Sequence, residues 1–130
     1  IGTRAMNKTV VMSESHVLCT TLRTVVSDEL RFSGTTQQNG GEISFFSQNY
    51  GEAVSFTTDS EGHVLLGGNK ILPDKSYPSG VRAMVDITGY DAATRIFDVT
   101  ITVTENKDDG SKLDEAVFEV KQLNKPASGG

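Results

Sequence analysis

Thr3 to Ser33 contains neither glycine nor proline, whereas all three prolines and twelve of the thirteen glycines stand at Gly34 or later. Glycine and proline are the strongest local breakers of regular structure, so a run of this length without either predicts an uninterrupted helix. The remainder, punctuated throughout, predicts strands and turns. A helix of about 30 residues spans roughly 45 Å, more than strands of ordinary length cover, so the sequence predicts a helix that outruns the sheet beneath it.

The packing face of this helix is expected from its spacing. Val11, Leu18, Val25 and Phe32 recur every seven residues and Leu22 falls between two of them, while Cys19, Val26 and Leu30 widen the stripe on its flank. Arg23 stands beside the stripe, and Glu14, Asp28 and Glu29 are placed to reach water. So broad an apolar face suits packing on a sheet better than the narrow seam of a two-helix coiled coil, although three to four heptads would also serve the latter. Thr9, Thr20, Thr21 and Thr24, together with five valines, make the helix intrinsically mediocre, so tertiary packing has to hold it.

Beyond Ser33 the polar stretch from Thr35 to Gly41 is expected to be a loop, with Gly34 as helix cap. Strands are expected over Glu42 to Ser47, Glu52 to Thr58 and His63 to Leu66, with a short one from Lys70 to Leu72; Asp59 to Gly62 forms a turn, and Pro73 to Gly80 an irregular connection. From Val81 the alternation sharpens. Val81, Ala83, Val85 and Ile87 alternate with polar or exposed positions, a turn follows at Gly89 to Thr94, and Phe97, Val99, Ile101 and Val103 alternate with Asp98 and three threonines. A final strand from Leu113 to Leu123 is expected to pair with its predecessor as an antiparallel hairpin, and Asn124 to Gly130 reads as a tail. The expected fold is α+β: a single domain, 1–130, with a long N-terminal amphipathic helix (1–33) packed on an antiparallel β meander (42–123).

Charge and chemistry narrow the function classes. The formal net charge is −5, and it is divided unevenly. Residues 1–33 carry four basic and three acidic side chains, and residues 34–130 carry eight and fourteen. An acidic β half repels phosphate backbones, so nucleic acid is not an expected partner there. Cys19 is the single cysteine, which rules out an intramolecular disulfide and, lying among apolar helix positions, reads as a packed thiol. Glu105, Asp108, Asp109, Asp114 and Glu115 invite comparison with a calcium loop, but alignment on Gly110 puts Lys107 at a ligand position. His16 and His63 have no second histidine or cysteine at metal-ligand spacing, and no nucleophile elbow or phosphate-cradling glycine loop occurs. No catalytic residue, cofactor or metal is therefore expected.

Ile1-Gly2-Thr3 runs into helical sequence without a capping box, so the chain is expected to begin inside a longer helix. Together with Leu18-Cys19-Thr20-Thr21-Leu22-Arg23, Asp28-Glu29-Leu30-Arg31 and Gly89 to Arg95, this order of helix, loop and strands resembles the soluble part of type IV pilin-like proteins, namely minor pilins and pseudopilins of the Gram-positive type. The resemblance implies a structural subunit of a pilus-like or pseudopilus filament at the bacterial cell surface. It also implies pilin-like subunits as partners through the N-terminal helix, and anchorage in the inner or cytoplasmic membrane through an N-terminal segment absent from this sequence. Met6, Val10 and Val11 are then the expected filament contacts. The leader, the early glutamate and the paired C-terminal cysteines of many Gram-negative pilins have no counterpart among these residues. The alternative is a secreted or surface-anchored binding module that recognises glycan or protein through its loops, where Tyr50, Tyr77 and Tyr90 stand.

Overall fold

The computed structural model describes residues 8–39, 42–107 and 109–123, with helix side chains from Ser13 onward. The chain begins with one helix, α1 (Lys8–Arg31), and continues through nine strands. These are β1 (Thr36–Asn39), β2 (Glu42–Ser47), β3 (Glu52–Val54), β4 (Phe56–Thr58), β5 (Val64–Leu66), β6 (Asn69–Lys70), β7 (Val81–Asp91), β8 (Ile96–Glu105) and β9 (Lys112–Lys121). They form three separate antiparallel meanders, β1-β2-β3, β4-β5-β6 and β7-β8-β9. No helix among the described residues is long and apolar enough to cross a membrane.

This corrects the expected fold class. The molecule is mostly β, with a little under half of the described residues in strands, and is not a long helix laid on one sheet. The described helix has 24 residues, about 36 Å at the standard rise, and the 11-residue β7 reaches about the same length in extended form. The predicted excess of helix over strand is thus missing from the described residues. The expected strand from Glu52 to Thr58 is cut at Ser55, and its halves pair in different sheets, β3 with β2 and β4 with β5. The expected loop from Thr35 to Gly41 contains β1, whose Thr36 to Asn39 pair with Phe45 to Glu42. The predicted turn at Gly89 is strand, because β7 absorbs a bulge between Ile87 and Gly89 and runs on to Asp91; the chain reverses later, where Arg95 takes φ 60°.

The buried stripe of α1 also sits elsewhere than the heptad implies. Ser15, Leu18, Cys19, Leu22, Val26 and Leu30 are buried, a spacing of three and four residues that holds one helix face inward. Leu18 and Leu22 of the expected stripe and Cys19, Val26 and Leu30 of its flank are among them, Val25 is half-buried at the margin, and Phe32 is corrected outright. Phe32 lies past the last helical residue and is 45% exposed. Val11 and Val10 have side chains outside the described set, and Met6 lies outside the described residues altogether.

One hydrophobic cluster joins the helix to all three sheets. Its aromatic spine crosses the sheet boundaries: Phe56 of β4 lies 5.6 Å from Phe45 of β2, Phe45 lies 6.3 Å from Phe97 of β8 at an edge-on angle, and Tyr90 of β7 lies 4.6 Å from Phe97. Such pairs add to the burial of the rings themselves.

A polar joint closes the other end. The fully buried Gln122 donates to the carbonyl oxygens of Ser33 (3.1 Å) and Gly34 (2.5 Å) and accepts from the Tyr90 hydroxyl at 2.8 Å. The adjacent Leu123 N–H donates to the Arg31 carbonyl at 2.7 Å. Orphan carbonyls at the helix end are thereby satisfied from the C-terminal strand. Gly34 serves by close approach: a Cβ there would meet that of Phe46 at 3.1 Å, and its N–H donates to the Phe46 carbonyl.

Candidate functional site

The face of α1 opposite the core carries a second regular pattern. Ser13, Val17, Thr20, Thr24 and Ser27 follow one another at steps of four and three residues, all uncharged. Val17 is 63% exposed, Ser13, Thr20 and Thr24 are exposed and Ser27 half-exposed. The Thr24 hydroxyl donates back to the Thr20 carbonyl, and that of Thr21 to the Val17 carbonyl, at 3.2 and 2.9 Å. Those hydroxyls are satisfied within the helix and place no demand on a neighbour.

Charges border this seam by sign. Glu14 and Asp28, the latter paired with Arg31 at 3.2 Å, fall on one side at helical spacing, and Arg23 with the histidine His16 on the other. The strand β9 positions the basic side, since Asp114 lies 3.0 Å from His16 and the Arg23 guanidinium sits 4.8 Å above the Phe118 ring. The described seam is thus exposed and uncharged between flanks that carry ionisable side chains. The sequence carries this signal in its polar residues, at Ser13-Thr20-Ser27 and Val17-Thr24, where a search restricted to strongly apolar positions passes over it.

A carboxylate and histidine cluster at the β4–β5 turn is the second candidate. Asp59, Glu61 and His63 bring ligand-type atoms within 4.8 Å of one another. Asp59 Oδ1 accepts the N–H groups of Glu61 and His63 at 2.9 and 3.0 Å, and the His63 bond foremost holds this carboxyl below its ordinary value. His63 stacks on Tyr77 at 4.1 Å. Its buried Nδ1 lies 3.3 Å from Asp74 Oδ1, an ion-pair distance without hydrogen-bond alignment. The cluster already holds a cation: Lys70 Nζ is 2.6 Å from the same Asp74 oxygen, a bond that raises the lysine and lowers the aspartate. The Lys70 charge also acts on Asp59 and Glu61 and opposes a metal ion beside it, and the Lys70–Asp74 pair pins the short 3-10 turn Asp74–Ser76 to the β4–β6 sheet. The alternate spacing Asp-x-Glu-x-His was its signal in the sequence.

Cys19, His16 and Asp114 form the third grouping. The thiol is buried, and burial foremost, with the negative charge of Asp114, pushes it up to about 11. A nucleophilic thiol requires the reverse shift, toward thiolate at neutral pH, so Cys19 acts as core packing. Two of the three tyrosines expected to stand ready in loops are committed to the fold. Tyr77 is buried, with its oxygen accepting the Val64 N–H at 3.0 Å, and Tyr90 belongs to β7 and holds Gln122. Tyr50 is 37% exposed.

In the acidic stretch between β8 and β9, Glu105 Oε1 accepts the Ser111 N–H at 3.1 Å and lies 3.6 Å from Lys107 Nζ. Lys112 pairs with Glu115 at 3.2 Å. Comparison with protein-family models, curated proteins and solved structures finds no match.

Proposed function

We propose that this chain is a structural subunit of a pilus-like or pseudopilus filament at the bacterial cell surface, with its helix as the assembly element. The observation that carries this reading is the outer face of α1, where Val17 stands 63% exposed in an uncharged seam with acidic and basic flanks. Copies packed in parallel with an axial stagger set the basic flank of one helix against the acidic flank of the next without the reverse contact, and such a heterologous contact propagates into a filament. Met6, Val10 and Val11, the contacts expected from the sequence, lie outside the described side chains and remain part of the proposal, as does a preceding apolar segment that anchors the subunit in the membrane before assembly. The mechanism is mechanical, with the β sheets as the outer wall. The binding-module alternative loses two of its loop tyrosines to the fold and has less to support it in the form first expected.

The test is Val17→Glu together with Thr24→Glu in the full-length protein. Both sites are exposed, so the purified domain is expected to melt within a few degrees of wild type, while filament yield, measured by shearing and electron microscopy, falls severely. Undiminished filaments from the double variant would overturn the proposal.

A further inference from the structure

The C-terminal turn of α1 and the β2–β3 turn enclose a groove of about 510 Å³ lined by Asp28, Glu29, Phe32, Gln48 and Asn49. Its described lining consists of two carboxylates, two carboxamides and one aromatic ring. It is also held in shape. The Ser47 hydroxyl donates to Glu29 Oε1 at 3.2 Å and accepts the Tyr50 N–H at the same distance, and Asn49 donates to Glu29 Oε2. The Gly51 N–H closes the turn on the Ser47 carbonyl at 2.8 Å. Through the buried Ser47, the β2–β3 turn is fastened to the helix, so the two walls keep their separation without a ligand.

We infer that this groove binds a neutral carbohydrate, a hexopyranose at the end of a glycan. The volume lies within the range of small-molecule sites. Carboxylates only accept hydrogen bonds and carboxamides both donate and accept, so together they match adjacent hydroxyls that do both. Phe32, 45% exposed, supplies an aromatic surface for the C–H face of a pyranose ring, whose weakly positive hydrogens meet the negative face of the π system. Asp28 is paired from outside the groove with Arg31 at 3.2 Å, so Glu29 is the carboxylate that repels anionic sugars, and none of the described lining residues offers the positive charge a phosphate, sialic acid or uronate requires. The site is distinct in kind from the assembly seam of α1 and stands or falls separately from it.

The experiment titrates the ¹⁵N-labelled domain with glucose, galactose, mannose, N-acetylglucosamine, lactose and maltose, and with glucuronate as the anionic control. At least one neutral sugar is expected to give saturable shifts at the side-chain amides of Gln48 and Asn49 and at the Phe32 backbone, with a dissociation constant on the order of millimolar, as suits a single small ligand. Phe32→Ala and Gln48→Ala are each expected to weaken that binding at least about fivefold while leaving the spectrum otherwise folded, since both side chains are exposed. Glucuronate is expected to bind at least about tenfold more weakly. No saturable shift at the groove with any neutral sugar would overturn the proposal, as would binding that survives both substitutions. Filament yield of the same variants separates this outcome from the assembly reading, because loss of sugar binding leaves assembly intact.

Discussion

The β7–β9 sheet and the two smaller sheets keep their order by different means. The large sheet has strands of 10 or 11 residues, and a one-residue slip would turn Val99, Ile101 and Val103 outward together, so alternation alone fixes its register. The small sheets have strands of two to six residues, too short to be selective. Their positions come from joints with other elements: the Asp59 turn and the Lys70–Asp74 pair on β4–β6, the Gln122 network on β1, and Glu29 with Ser47 on the β2–β3 turn. Gly62 shows how closely the small sheets must approach the large one. Its φ is +86° and an added Cβ would lie 2.8 Å from Arg82 Cα of β7. A long strand carries its own register, and a short one borrows it.

The sharpest way to break this contrast is to remove what the regions share. Phe97 is fully buried in β8 and touches Phe45 of the first sheet and Tyr90 of its own. Phe97→Ala is expected to cost about 3–5 kcal/mol, lowering the denaturant midpoint while all three sheets still unfold together. If the small sheets instead unfolded in an earlier, separate transition in the wild type, they would have a core of their own and the shared spine would be the wrong description.

The same contrast explains which parts of the fold were legible in the sequence. Val81 to Ile87, Phe97 to Val103 and the last hairpin announce themselves by period two, and the helix end by Ser33-Gly34. Nothing in Thr36-Gln37-Gln38-Asn39 announces a strand, because β1 is polar and is made a strand by its partner β2 and by Gln122. Ser55 gives no local sign that the run from Glu52 to Thr58 will divide between two sheets. On the helix, Leu18, Cys19, Leu22, Val26 and Leu30 are buried as their type suggests, whereas Ser15 is buried although polar and Phe32 exposed although aromatic, so the centre of the face lies toward the flank of the heptad stripe. The outer seam of α1 and the groove at its C-terminal end, to which assembly and carbohydrate binding are proposed, are harder still to read from sequence. The first is written in serine and threonine, and the second unites side chains from two elements joined only by folding.

A smaller effect isolates a single joint. Gln122→Leu keeps similar volume but leaves the Tyr90 hydroxyl and the Ser33 and Gly34 carbonyls without this partner in a buried place. A buried polar group left unsatisfied costs about 1–3 kcal/mol, so the variant is expected to lose roughly 2–3 kcal/mol. Hydrogen exchange should then quicken at the amides of β1 well before those of β8. Uniform quickening through both regions would mean that β1 is held by the general core and not by this joint.

The least perturbing test changes only pH. Asp59 and Asp74 are held below their ordinary value of 3.8, Asp59 first by the His63 N–H and Asp74 first by Lys70. Folded carboxyls with depressed values bind fewer protons than the unfolded chain near that value, so their stabilising contribution is present above it and disappears as pH falls through the folded-state values. Both groups are at the surface, and the expected change in overall stability is small. Locally it is visible: on acidification below about pH 4, the amide proton resonances of Glu61 and His63 should move as Asp59 is protonated, while those of Val99 and Ile101 in β8 stay fixed. Asp59→Asn retains an oxygen to accept both N–H groups and cannot titrate, so it should keep the turn and abolish the movement. An unchanged acid response in that variant would show that the β4–β5 turn does not depend on Asp59 ionisation, and that short strands here borrow their register from packing alone.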